Sequence, residues 1–185
     1  MLTSWASYNT SDELCLFYTS TGVSGEIIKR KEQANMPICT FFGHRICPDK
    51  IKPILHSILV DVIESEGESL FYVGNQGDFD YKVLQELQAL VKIYPHVKYR
   101  VVLAYVPGEK KSFDLADDLF TIIPEGIEST PSKYAISKRN MWMLTQADIV
   151  ITYCVRAFGG AAKFVDIAKS KGKRIINIAD YMTEI

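Results

Sequence analysis

Ile38-Cys39-Thr40-Phe41-Phe42-Gly43 and Leu70-Phe71-Tyr72-Val73-Gly74 are two short, mainly apolar runs, each closed by a glycine. Runs of this length without polar alternation read as strands buried on both faces. Between them Ile51, Ile54, Leu55, Ile58, Leu59, Val62 and Ile63 recur at helical spacing and end at Gly67. Pro53 falls in the first turn of that helix, where a proline is tolerated. Strand, helix and strand in this order make parallel neighbours joined by a crossover helix.

The alternation continues toward the C-terminus. Phe79, Val83, Leu84, Leu87, Leu90 and Val91 form a second amphipathic helix, with Asp78 as its expected N-cap and Pro95 past its end. Tyr99 to Tyr105 is a third strand, residues 109 to 118 are a short helix or loop, and Leu119 to Ile123 is a shorter strand. Residues 132 to 147 are helical, Asp148 to Tyr153 is a strand, Gly159 to Ser170 a helix and Arg174 to Ile178 the last strand. The expected fold class is α/β, a Rossmann-like parallel sheet with helices on both faces in a single domain.

Residues 1 to 36 read differently. Ser, Thr, Asn and Gly recur there and hydrophobic periodicity is poor, although residues 25 to 32 would suit a short charged helix. Met36 stands directly before the regular pattern, so residues 1–36 are expected to be an N-terminal extension and 37–185 the domain. The alternative is an N-terminal strand or helix packed on that domain.

Composition narrows the functional classes. Hydrophobic residues make up 48% and charged residues 23% of 185 residues, ordinary usage for a chain with a real core. Basic and acidic residues number 21 and 22, a net charge of −1, which gives no support for non-specific DNA binding and leaves only a local basic patch open. The cysteines Cys15, Cys39, Cys47 and Cys154 form no CxxC pair and read as reduced thiols. With no signal peptide pattern and no stretch near the ~18 apolar residues of a membrane span, the expected location is the cytoplasm and no membrane partner is expected.

Ligands of open α/β sheets sit beyond the carboxyl ends of the strands, so the loops there carry the functional reading. Gly43-His44-Arg45 offers a tight turn, a titratable ring and a guanidinium able to fork onto phosphate. Gly74-Asn75-Gln76-Gly77-Asp78-Phe79-Asp80 offers two amides between glycines and two acids. A cap needs only one acid, which leaves Asp80 as the more interesting carboxylate. Arg156-Ala157-Phe158-Gly159-Gly160-Ala161-Ala162-Lys163 runs small residues into a helix start, where free N–H groups and the dipole favour an anion. Lys163 in the first turn opposes the usual dipole preference and fits an anion nearby. GxxxxGK[ST] and GxGxxG are both missing, which argues against a P-loop NTPase and an ordinary NAD dehydrogenase. His44, Cys47 and Cys154 match no standard zinc spacing, so neither a metal nor a cofactor is expected.

Taken together, Phe41-Phe42-Gly43-His44-Arg45, Gly74 to Asp80, Tyr134 with Lys138-Arg139-Asn140-Met141-Trp142-Met143, Ala147 to Tyr153, and Gly159-Gly160-Ala161 resemble the SLOG superfamily, most closely its YpsA-like branch. The resemblance spans about residues 38 to 178. It implies a Rossmann-like fold tied to nucleotides or nucleotide-derived ligands, and kinship with the LOG (Lonely Guy) phosphoribohydrolases and DprA-type DNA-processing proteins. It also implies that Arg139 points into the pocket as a phosphate or catalytic partner, with Asn140 beside it. LOG enzymes carry PGGxGTxxE, whose glutamate serves at the glycosidic bond; here the acid positions hold Ala162 or Lys163.

Three functions are therefore expected in order. The first is binding or sensing of a nucleotide-like small molecule without hydrolysis. Gly159, Gly160 and Ala161 would cradle phosphate, Arg45 and Arg139 would pair with it, and Gln76, Asp80 and Tyr134 would face sugar or base. The second is an N-glycoside hydrolase or transferase acting on nucleoside monophosphates, with Asp80 or Glu125 as the acid. The third is a DprA-like role through protein or nucleic-acid contacts. On charge balance, nucleic acid is not expected as a partner, and a homodimer is left open.

Overall fold

The structure, a computed structural model, describes residues 15–19, 22–24, 36–105 and 121–182. The expected charged helix over residues 25 to 32 and the helix or loop at 109 to 118 lie outside the described residues. Eight strands are present among them: β1 (Cys15–Thr19), β2 (Gly22–Ser24), β3 (Ile38–Gly43), β4 (Leu70–Val73), β5 (Lys98–Val102), β6 (Thr121–Pro124), β7 (Ile149–Tyr153) and β8 (Arg174–Asn177). Four helices join them: α1 (Ile51–Glu66), α2 (Asp78–Ile93), α3 (Ser132–Gln146) and α4 (Gly160–Ser170).

All strands belong to one sheet in the order β2-β1-β6-β5-β4-β3-β7-β8. The six strands from β6 across to β8 are parallel. The chain walks from β3 outward through β4, β5 and β6, then returns by α3 to β7 on the other side of β3. Strand order therefore reverses at β3 and β7, the place where open α/β sheets hold ligands. On the outer edge of β6, β1 pairs antiparallel, and β2 pairs antiparallel with β1. These two strands are additional to the expected parallel sheet.

Period-two alternation of apolar residues fills two cores at once. Cys39, Phe41, Phe71, Val73, Ile149 and Ile151 pack with α1 and α2 on one face. Ile38, Phe42, Leu70, Tyr72 and Val150 pack with Met143 and Leu144 of α3 and Phe164 and Ala168 of α4 on the other. Full burial of each large apolar side chain contributes about 1.5–3 kcal/mol, so the central strands hold both helical layers firmly. The buried hydroxyls that interrupt them are satisfied across the sheet: Thr40 Oγ1 donates to the Tyr72 carbonyl at 3.2 Å, and Thr152 Oγ1 donates to the Phe42 carbonyl.

Element ends moved little from expectation, with one correction in kind. Asp78 is the first residue of α2 and not its cap; Gly77 holds the N-cap position, and no side chain caps the helix. The Asp78 N–H donates instead to the Arg45 carbonyl at 2.8 Å, so the helix start is anchored by the loop after β3. A tertiary contact has replaced the local cap.

Candidate functional site

A cavity of about 280 Å³ opens at the carboxyl ends of β3 and β4 between α3 and α4. Its walls come from elements far apart in sequence. The loop after β3 contributes Gly43, His44 and Arg45, and the loop after β4 contributes Gly74, Gln76 and Asp80. Helix α3 contributes Arg139 and Asn140, and the start of α4 contributes Gly160 and Ala161. The remaining sequence-derived candidates stand elsewhere. Asn75 and Gly77 belong to the β4 loop without lining the cavity, and Gly159 precedes the first residue of α4 at the lip. Tyr134 is exposed on the first turn of α3, with the Lys133 ammonium 4.8 Å from its ring centre. Glu125 is exposed in the turn after β6, away from the cavity wall.

Asp80 and Arg139 are the charged groups at the cavity's inner end. Asp80 is 8% exposed and Arg139 is 2% exposed. Asp80 Oδ2 accepts the Gln76 N–H at 2.9 Å and lies 3.8 Å from Arg139 Nη2. Arg139 Nη1 donates to the Val102 carbonyl at 2.9 Å, and its buried Nε has no hydrogen-bond partner. Burial pushes the Asp80 carboxyl up, while Arg139 and the Gln76 N–H pull it down. Burial likewise pushes Arg139 down against the pull of Asp80. Arg139 thus lines the cavity with a guanidinium already engaged. A Cβ on Gly74 would lie 2.2 Å from both Arg139 Nη1 and Asp80 Oδ2, so glycine at the end of β4 is what lets the pair form.

The loops at the mouth are tied together. His44 Nε2 accepts the Val155 N–H at 3.1 Å, which requires a neutral ring at that nitrogen and brings the loops after β3 and β7 side by side. Burial, then the nearby Arg156, holds the His44 pKa below its ordinary value. Asn177 at the end of β8 braces the same region, its Oδ1 accepting the Cys154 N–H and its Nδ2 donating to the Cys154 carbonyl. On these loops Ile46, Val155 and Phe158 are exposed apolar groups, Phe158 at 73%, next to the exposed Arg45 and Arg156.

Sequence reasoning missed the apolar wall. Phe42 and Phe164 stack with ring centres 5.0 Å apart, and both line the cavity with Met143. The signal was present, because Gly160 and Phe164 are one helical turn apart and so share a face. Among the described residues no group of three or more His, Cys, Asp or Glu side chains is placed to hold a metal ion. No helix among them is long and apolar enough to cross a membrane.

No protein-family model matches the chain, and no curated protein sequence matches it. Solved structures do. DNA processing protein A (DprA) from Streptococcus pneumoniae superposes with a TM-score of 0.53 at 12% identity, covering 76% of this chain and 49% of that one. The chain thus spans about half the length of the pneumococcal protein. DNA processing protein A from Helicobacter pylori, described for its single-stranded DNA binding mode, gives a TM-score of 0.57 at 13% identity, covering 84% of this chain and 75% of that one. At such identities the likeness establishes the Rossmann-like fold shared with DprA proteins. It also corrects the expectation that set nucleic acid aside: the Helicobacter pylori neighbour binds single-stranded DNA. Net charge averages over the whole surface, whereas a strand responds to the local field of one groove.

Proposed function

We propose that this domain binds single-stranded nucleic acid at the carboxyl edge of its sheet, with one nucleotide unit entering the cavity. The observation that carries this is the pairing of the loops after β3 and β7 through His44 and Val155. It sets side by side the two loops that carry the exposed Arg45, Ile46, Arg156 and Phe158, cations interleaved with exposed apolar groups. Single-strand binders combine these two elements, positive charge for the backbone and flat apolar faces for the bases. The start of α4 adds free N–H groups at Gly160 and Ala161 for a phosphate. The DprA-like fold supports the same choice. We place the domain with the YpsA-like branch of the SLOG superfamily, in the cytoplasm, acting without hydrolysis because Ala162 and Lys163 stand where a LOG-type acid would be.

The test is fluorescence anisotropy with a labelled single-stranded oligonucleotide at about 50 mM and about 200 mM salt. Binding is expected to weaken with salt, and Arg45→Ala or Arg156→Ala is expected to flatten the log–log slope by about 0.7 for each phosphate no longer neutralised. No binding at low salt would sink the proposal. A free nucleotide is the second reading, favoured by the compact cavity of about 280 Å³. It predicts that mononucleotides raise the melting temperature while oligonucleotides do not compete. In either case residues 37–185 are the binding domain and 1–36 an extension that supplies the two strands beyond β6. Removal of residues 1–35 should leave unfolding cooperative, and non-cooperative unfolding would overturn that division.

A further inference from the structure

The cavity presents two chemically opposite walls. Across β3 from each other, the start of α4 after β7 brings Gly160 and Ala161 with their N–H groups, and the loop after β4 leads to Asp80, with Arg45 lying against Gly77 of that loop. Asp80 is nine-tenths buried, and its Oδ2 is the oxygen that takes the Gln76 N–H and faces Arg139. Its Oδ1 accepts no hydrogen bond from any described residue, yet is not sealed from the cavity that the residue lines. A carboxylate oxygen open to the cavity attracts an N–H or O–H donor and repels a phosphate placed beside it. The cavity's complement is therefore a group with an anion at one end and an N–H or O–H at the other.

We infer that Asp80 is a specificity-determining residue that accepts a hydrogen bond from a nucleobase N–H, while the phosphate of the same nucleotide lies at the start of α4. This rests on the single-strand reading given above. Within a DNA strand the sugar and the phosphodiester carry no donor, so the base edge alone can satisfy Oδ1. Carboxylates select base amines in this way elsewhere in nucleic-acid recognition. With Oδ2 already occupied, one donor is read.

The experiment compares full-length wild-type protein on matched single-stranded oligonucleotides that differ by one base donor. The pairs are adenine against purine, guanine against hypoxanthine, and cytosine against 2-pyrimidinone, in which an amine is removed without added bulk. Thymine against N3-methylthymine covers the imino donor. At least one pair is expected to lose about tenfold or more in affinity, the worth of a hydrogen bond to a charged group. Asp80→Asn should collapse that difference to within about twofold. Asp80→Asn combined with Arg139→Gln repeats the test with neither buried charge left uncompensated. Equal affinity within every wild-type pair overturns the inference, as does discrimination that survives in both variants. A preference for RNA over DNA that ignores the base donors assigns Asp80 to a sugar hydroxyl and also overturns it. If the wild-type protein binds none of the oligonucleotides, the single-strand reading itself has failed. Binding without donor dependence sinks only the role given to Asp80.

Discussion

Gly74 and Gly160 line the same cavity and have opposite surroundings. A Cβ at Gly74 would collide with Arg139 and Asp80 at 2.2 Å, whereas a Cβ at Gly160 would meet nothing within 4 Å. One wall of the cavity is therefore part of the packed core, its glycine demanded by a buried ion pair. The other is open, and the small residue there answers to what approaches from outside. Residue type alone does not separate the two cases, although both glycines end a strand or begin a helix in the same crevice. Changes that break the ion pair of the inner wall should be read first in stability, and mutations on the lip in binding.

The largest effect is expected from Arg139→Ala. It leaves Asp80 buried without its cation and frees the Val102 carbonyl, a loss of about 3–5 kcal/mol in urea unfolding. Unchanged stability with weakened affinity would move Arg139 from the inner wall to the ligand and break the comparison. Gly74→Ala should follow, costing about 1–3 kcal/mol as the buried pair is pushed apart. A crystal structure of that variant with Arg139 and Asp80 undisturbed would show that the wall is softer than its packing implies.

Gly160→Ala should change stability by less than about 1 kcal/mol, in either direction, because the site is open and helical. Oligonucleotide affinity should nonetheless fall several-fold as the added methyl keeps phosphate from the backbone. Equal affinity would mean that the lip does not receive the anion. The smallest effect concerns the tie between the mouth loops. The folded state holds His44 below its ordinary pKa of about 6.5. Its neutral form therefore adds stability above that pH, and the contribution is lost as pH falls through the lowered folded value. An NMR titration should place the His44 midpoint below 6.5. A His44→Gln variant should lose the corresponding part of the pH dependence of unfolding. A midpoint above that value would argue that the ring is held as a cation and that the Val155 hydrogen bond is absent in solution.

Much of the architecture was legible from single segments. Leu70–Val73 and Ile149–Tyr153 announced themselves as apolar runs of strand length, and α2 as a repeat of apolar positions at helical spacing. Such signals are local, because each element must bury its own face. The identity of the cap on α2 was not legible. Asp78 has the chemistry of a cap, but Gly77 takes the position because the Arg45 carbonyl, 33 residues upstream, already holds the Asp78 N–H. Helical spacing puts Phe164 on the face of Gly160, but nothing local names Phe42, 122 positions away, as the ring it stacks on.

Local pattern is enough for the α/β class, for the succession of strands and helices along the chain, and for the glycine-bearing loops Gly43 to Arg45, Gly74 to Asp80 and Gly159 to Ala161. Periodicity and glycine placement act over a few residues, and a linear reading captures them. Long-range packing is what reverses strand order at β3 and β7, brings Asp80 and Arg139 into one buried corner, and leaves Asn75, Gly77, Tyr134 and Glu125 outside the cavity wall. Those outcomes depend on which strands become neighbours. That choice is set by the simultaneous packing of two helical layers, and no single segment carries it.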